Sequence, residues 1–217
     1  MNLIYKTKLL SCLSWFVVGL VIFSGAVMNY AIAESSSELT TFYFVRHAEI
    51  DKKNADKPLN NKGKLRAKAL VEYLKQIQVT HIYASHTDRA RDTVTPLSNS
   101  LGLSIVQSPK PGSTINGEII NNRTKGKHAI KPLIATLSSV SKGSSVVVSA
   151  NSGNLFGIMA GIGVPVVGED AVCSSEPARC LPCKSKKCFP KKEFNNVWIV
   201  KIDSNGKANL AHSTYGD

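Results

Sequence analysis

Two apolar runs that do not alternate constrain this chain most. Thr41-Phe42-Tyr43-Phe44-Val45 and Ser145-Val146-Val147-Val148-Ser149 are β-branched or aromatic at nearly every position. Strands of that kind are buried on both faces, as in a parallel sheet covered by helices. Amphipathic stretches lie between such runs. From Lys62 to Ile77, the residues Leu65, Ala69, Leu70, Tyr73, Leu74 and Ile77 fall at helical spacing and are expected to face the sheet, with Asn60 as the cap. Asp88 to Leu101 predicts a second helix, which Pro96 is expected to kink or break. Val79 to Ala84 and Leu103 to Val106 predict strands, and Lys131 to Val140 and Leu155 to Ile162 predict helices. Val197 to Ile202 and Lys207 to His212 predict a hairpin about Ser204-Asn205-Gly206. Residues 108–125, rich in Gly, Asn, Pro and Ser, read as a long loop or lid. This alternation predicts a three-layer α/β/α domain with a mostly parallel sheet. Open sheets of this type bind ligands beyond the carboxyl ends of their strands. Three polar clusters stand at such ends: Arg46-His47, Ser85 to Arg91, and Asn151 to Asn154.

The first 33 residues read as something other than fold. Lys6 and Lys8 precede an uncharged, mostly apolar run from Leu9 to Ala33, which closes on Ala31-Ile32-Ala33. A basic start, an apolar middle and a small-x-small site describe a secretory signal peptide, with an uncleaved membrane anchor as the alternative. Residues 34–40 then form a linker, 41–217 the domain, and 168–192 a cysteine- and lysine-rich insertion within it. Export predicts a periplasmic or secreted protein. It leaves four cysteines, Cys173, Cys180, Cys183 and Cys188, candidates for two disulfides of open pairing. Zinc is the alternative for Cys180-x-x-Cys183, but four thiols within 16 residues lack the longer gap between ligand pairs. No metal or cofactor is expected. The formal charge of +12 falls to +10 without Lys6 and Lys8. No nucleic-acid motif accompanies it, nor any aromatic-plus-basic stacking surface. The run Lys184, Lys186, Lys187, Lys191 and Lys192 is a candidate contact for an anionic surface or a solvated face.

The polar clusters carry a pattern. Phe44-Val45-Arg46-His47-Ala48-Glu49, then Pro58-Leu59-Asn60-Asn61-Lys62-Gly63, then Ser85-x-x-x-Arg89-Ala90-x-x-Thr93 occur in that order. Phe194-Asn195-Asn196-Val197-Trp198 and Tyr215-Gly216 close the series. Together they resemble the histidine phosphatases, the phosphoglycerate-mutase-like superfamily, over residues 41–217 apart from the cysteine segment. The resemblance implies a phosphoglycerate mutase-like fold and transfer of a phosphoryl group to a histidine nitrogen, then to water. It implies His47 as nucleophile and Arg46 and Arg89 as phosphate-binding arginines. Such a nucleophile must be neutral, with one ring nitrogen free and the other proton held. Planar guanidinium groups bind two phosphoryl oxygens each and favour the transition-state charge. Ser85 and His86 are further candidates for the substrate pocket. Glu49 is a candidate for orienting the site or capping a loop.

The chain departs from that pattern at one place. The second histidine of the family precedes an Asn-Leu pair after a later strand, and the matching stretch here is Asn151-Ser152-Gly153-Asn154-Leu155. Asn151 takes the histidine's position, or Ala150 if the register slips by one. An amide still donates N–H, but without charge. Loss of one preorganised donor costs roughly 3–4 kcal/mol of transition-state stabilisation. The expected function is therefore a phosphoric monoester hydrolase acting on a small phosphate ester and slowed at Asn151. The alternative is a non-catalytic relative that binds a phosphorylated or anionic ligand. Glu118, in the 108–125 segment, is a candidate acid for the leaving group.

Overall fold

The strands form where the unbroken apolar runs lie. The protein is described by a computed structural model over residues 39–115, 118–119, 130–165 and 192–216, with side chains from 115 to 119 excluded. Strands β1 (Thr40–Arg46), β2 (His81–Ala84), β3 (Ile105–Gln107), β6 (Ser145–Ala150), β7 (Asn196–Ile202) and β8 (Ala208–Thr214) make one sheet in the order β3-β2-β6-β1-β7-β8. A separate hairpin, β4 (Thr114–Ile115) with β5 (Glu118–Ile119), lies within the stretch read as a loop. The first four strands of the sheet are parallel; β7 and β8 run antiparallel, as expected for the terminal hairpin.

Helices cover both faces, giving the expected three layers. The helices are α1 (Asn61–Leu74), α2 (Asp88–Leu101), α3 (Lys131–Ser138) and α4 (Ser152–Gly161). Residues of α1 and α2 pack with Val45, Ile82, Ala84 and Val147 on one side of the sheet. Residues of α3 and α4 pack with Phe42, Phe44, Val148 and Trp198 on the other. The alternation of sides along β1 and β6 follows from the two-residue repeat of a strand. Leu70 and Leu74 are fully buried; each such side chain contributes about 1.5–3 kcal/mol of burial free energy.

Three helices differ from the periodic reading. Leu65 was expected on the packed side of α1 and is instead 67% exposed, while Arg66 is buried beside Ala67, Leu70 and Leu74. The helix is turned by tight contact at its start: a Cβ on Gly63 would collide with the carbonyl oxygen of Glu49. Pro96 does not break α2, which runs through it, held by buried Val94 and Leu97 on either side. Helix α4 starts at Ser152, three residues before the expected Leu155, and this makes Asn151 its N-cap residue.

Sheet order positions the site. Strand β6 lies between β1 and β2, with Arg46 opposite Ala150 and Ala84 opposite Ser149. The backbone continues this register: His47 N–H donates to Ala150 O (3.0 Å), and Ser85 N–H donates to Ser149 O (2.8 Å). The three polar strand ends, far apart in sequence, therefore become neighbours along one edge.

Candidate active site

His47 leaves β1 at its carboxyl end and is only 5% exposed. Its Nδ1 lies 2.8 Å from the carbonyl oxygen of Ala48. A carbonyl only accepts, so Nδ1 carries the proton and donates it there. Nε2 is then the nitrogen with a free lone pair. Burial is the main influence on the imidazole and pushes its pKa down to about 4; the bond to Ala48 opposes this, and Arg46 and Arg89 add to it. His47 is thus neutral throughout mildly acidic and neutral solution, the form required of a nucleophile.

Two guanidinium groups accompany it. Arg46 is 9% exposed, donates from Nη1 to Glu193 O (3.1 Å) and places its Cζ 3.9 Å from the centre of the Phe194 ring. The same ring lies 6.0 Å from the His47 ring, so Phe194 walls both residues. Burial lowers the Arg46 pKa to about 10, with Glu49 opposing and Arg89 adding, which leaves it charged at neutral pH. Arg89 lies in the first turn of α2 and is half-buried; burial lowers its pKa. Its Nε donates to Asn151 Oδ1 (3.1 Å), as does Thr87 Oγ1 (3.2 Å). An arginine cannot accept, so the amide oxygen of Asn151 faces Arg89 and its NH2 group is directed elsewhere. Asn151 therefore makes no side-chain cap to α4. The first amides of a helix have no intrahelical partner and carry partial positive charge. The start of α4, the Asn151 amide and the two arginines are all electropositive and donate hydrogen bonds.

Behind these residues runs a strut. The Glu49 carboxylate receives Arg66 Nε (3.0 and 2.9 Å) and Nη2 (2.8 Å). Burial alone would raise the Glu49 pKa; the Arg66 fork overrides it and holds the carboxyl below its ordinary range. Arg66 Nη1 also donates to the carbonyls of Tyr215 (3.1 Å) and Gly216 (2.8 Å). Thr93 ties α2 to the same loop: its hydroxyl donates to Arg89 O (2.7 Å) and accepts from Ala48 N–H (2.8 Å). The spacing from Arg89 to Thr93 is thus one helical turn that links Arg89 to the loop after His47.

Residues 42–110 match the family model of the histidine phosphatase superfamily, branch 1. Over that stretch the chain is similar to the superfamily. No curated protein matches the chain in sequence. Among solved structures, the protein histidine phosphatase SixA complexed with tungstate aligns at TM-score 0.50 and 15% identity, over 80% of this chain and 96% of its own. YhfR from Bacillus stearothermophilus aligns at TM-score 0.52 and 16% identity, over 79% and 95%. Mycobacterial hydrolase 2 aligns at TM-score 0.52 and 14% identity, over 82% and 93%. At such identities these likenesses establish the fold, and the phosphoglycerate mutase-like architecture stands.

Arg46, His47, Arg89 and Asn151 are linked through short contacts or neighbouring strand ends. Ala150 is paired with Arg46 inside the sheet, and Asn151 follows it at the start of α4. The Glu49 carboxylate is held by Arg66 beside the loop that carries His47. Ser85 Oγ and His86 Nδ1 are buried without a hydrogen-bond partner among the described residues. Burial lowers the His86 pKa, and Arg89 and Lys110 lower it further, so His86 is neutral near the arginine. His81 sits at the opposite end of β2, and His212 pairs with Asn196 (2.8 Å). The side chain of Glu118, residues 1–38, the four cysteines, His128 and all of the lysine run but Lys192 lie outside the described residues. Arg66 and Phe194 pack beside Arg46, His47 and Glu49, and pattern reading gave neither a place there. Arg66 had a signal, since it lies four and eight residues before Leu70 and Leu74 on the apolar stripe. Phe194 had none beyond its motif.

Proposed function

We propose that the protein is an exported phosphomonoester hydrolase that works through a phosphohistidine at His47. The reading is carried by one observation: Nδ1 is pinned to Ala48 O, which leaves Nε2 as the free nitrogen of a neutral imidazole flanked by two arginines. In the first half-reaction Nε2 donates its lone pair to phosphorus, and the bond from phosphorus to the ester oxygen breaks. The leaving oxygen takes a proton from water, which suits phenolic esters best. In the second, water attacks the phosphohistidine, loses a proton to solvent and frees inorganic phosphate. Arg46, Arg89 and the Asn151 amide hydrogens hold the phosphoryl oxygens while charge builds on them. Export is supported by the signal-like start of the sequence. The test is hydrolysis of an aryl phosphate by the wild type and by His47→Ala, with mass spectrometry for a phosphoryl adduct at His47. Equal rates would sink the proposal.

A second reading rests on the neutral Asn151 at the place of a histidine. Saturable phosphate binding with no turnover and no adduct would establish a phosphate-binding protein instead.

A further inference from the structure

Outside the site, one surface has more charge than its neighbours balance. Between residues 51 and 68 the chain carries six lysines and two aspartates, and Arg66 is already committed to Glu49. The whole stretch 51–57 is exposed, as are Lys62, Lys64 and Lys68 on α1. Lys62 reaches Glu49 only at 3.9 Å with its side chain 73% exposed. Lys52, Lys53, Lys57, Lys64 and Lys68 have no ion pair among the described residues. By contrast, Lys75 at the far end of α1 is paired with Glu72 at 2.9 Å. The Asp51 carboxylate is occupied locally by the N–H of Lys53 (2.9 Å).

The same surface carries apolar matter where a solvated lysine face would have none. Leu65, 67% exposed, stands between Lys64 and Lys68 on the outer side of the helix. Beside it a groove of about 460 Å³ opens between α1 and α2, with Pro58, Leu59, Ala67 and Pro96 as walls and Lys64 and Lys68 at its rim. Asp92 also borders the groove, but it is paired with Arg91 at 2.8 Å. Carbon walls under a rim of ammonium groups suit an amphiphile with an anionic head. Lysine stems cover apolar ground while their charges reach headgroups.

We propose that the face built from residues 52–68 docks on the surface of an anionic lipid bilayer. The face begins three residues after Glu49, so docking holds the mouth of the His47 site near the headgroups. Each lysine near such a surface contributes about 1 kcal/mol, or about fivefold in partitioning. The attraction is screened by salt, with a Debye length of about 3 Å at 1 M.

The experiment is amide hydrogen–deuterium exchange of the full chain with vesicles of phosphatidylglycerol and phosphatidylcholine, against phosphatidylcholine alone. A local readout is needed because the apolar run 9–33 has its own affinity for membranes. Protection of the first turns of α1 by the anionic vesicles only, lost in 1 M salt, is the expected result. Lys64→Gln and Lys68→Gln are each expected to lower partitioning about fivefold, and Leu65→Asp to lower it further, with aryl phosphate hydrolysis unchanged. Binding that protects other segments and leaves 51–68 unchanged overturns the proposal. So does equal protection by soluble polyphosphate, which would mark a general polyanion site. His47→Ala is expected to dock normally, so this test stands apart from that of the catalytic proposal.

Discussion

Two helices of this protein begin with the same residue type used in opposite ways. Asn60 caps α1 in the ordinary manner, its side-chain oxygen accepting from Gly63 N–H at 2.9 Å. Asn151 occupies the same position on α4 and forms no such bond, because its oxygen is taken by Thr87 and Arg89. A cap bond is worth about 1 kcal/mol. The start of α1 is built for stability, with the Glu49–Arg66 pair behind it. The start of α4 leaves that stabilisation unused. The difference separates what holds the loop of His47 from what, on the proposed function, meets a phosphoryl group.

The strongest way to break this comparison is Arg66→Met, which strands a buried carboxylate. It is expected to destabilise the protein by about 3–5 kcal/mol in chemical denaturation, and Glu49→Gln in the same chain should recover part of the loss. Next is Asn151→Asp. It keeps an acceptor for Arg89 and places a negative charge at a helix start, so stability rises by about 0.3–1 kcal/mol. Turnover falls about a thousandfold, through the lost donor and repulsion of phosphate. A variant that lost both stability and activity would erase the distinction between the helices.

His47, between the two regions, supplies a pH test. Its pKa is near 4 when folded, against about 6.5 when unfolded. Its buried neutral form therefore contributes stability above pH 6.5, and this is lost as pH falls from about 6.5 to 4. The shift amounts to about 3 kcal/mol. NMR titration of the imidazole is expected to show a midpoint near 4; a midpoint at or above 6.5 would remove the pre-formed neutral nucleophile. Asn151→Ala sharpens the comparison at smaller scale: about a hundredfold lower turnover with about 1 kcal/mol of stability lost through the bonds from Arg89 and Thr87 and none through a cap. Asn60→Ala gives the counterpart, about 1 kcal/mol of stability lost through a cap and little change in rate.

The elements that local chemistry dictates were legible in the sequence. Unbroken apolar runs marked β1 and β6, Asn60 announced α1, and the spacing of Arg89 and Thr93 placed both on one helical turn. What depended on distant partners was not. Nothing near Ser145 says that β6 lies between β1 and β2, although that order brings Asn151 to Arg89. The place of Arg66 on the apolar stripe marks it as buried but names no partner, because its partners are Glu49 and two carbonyls about 150 residues later. Leu65 was misplaced for the same reason: helical spacing fixes a stripe that Leu70 and Leu74 follow, and the contact of Gly63 with Glu49 decides where its edge falls. Phe194 lies beside Arg46 through tertiary packing that no local spacing encodes.

The reach of Arg66 to Tyr215 and Gly216 has a consequence for biosynthesis. A ribosome delivers Arg66 long before those carbonyls, by roughly 7–30 s at about 5–20 residues per second. During that interval the loop beside His47 lacks its anchor, and β7 and β8 have yet to close the sheet. The nascent chain therefore carries His47 in an unassembled loop. The completed domain and not the emerging one is the first species with the full set of contacts around Glu49 and Arg66.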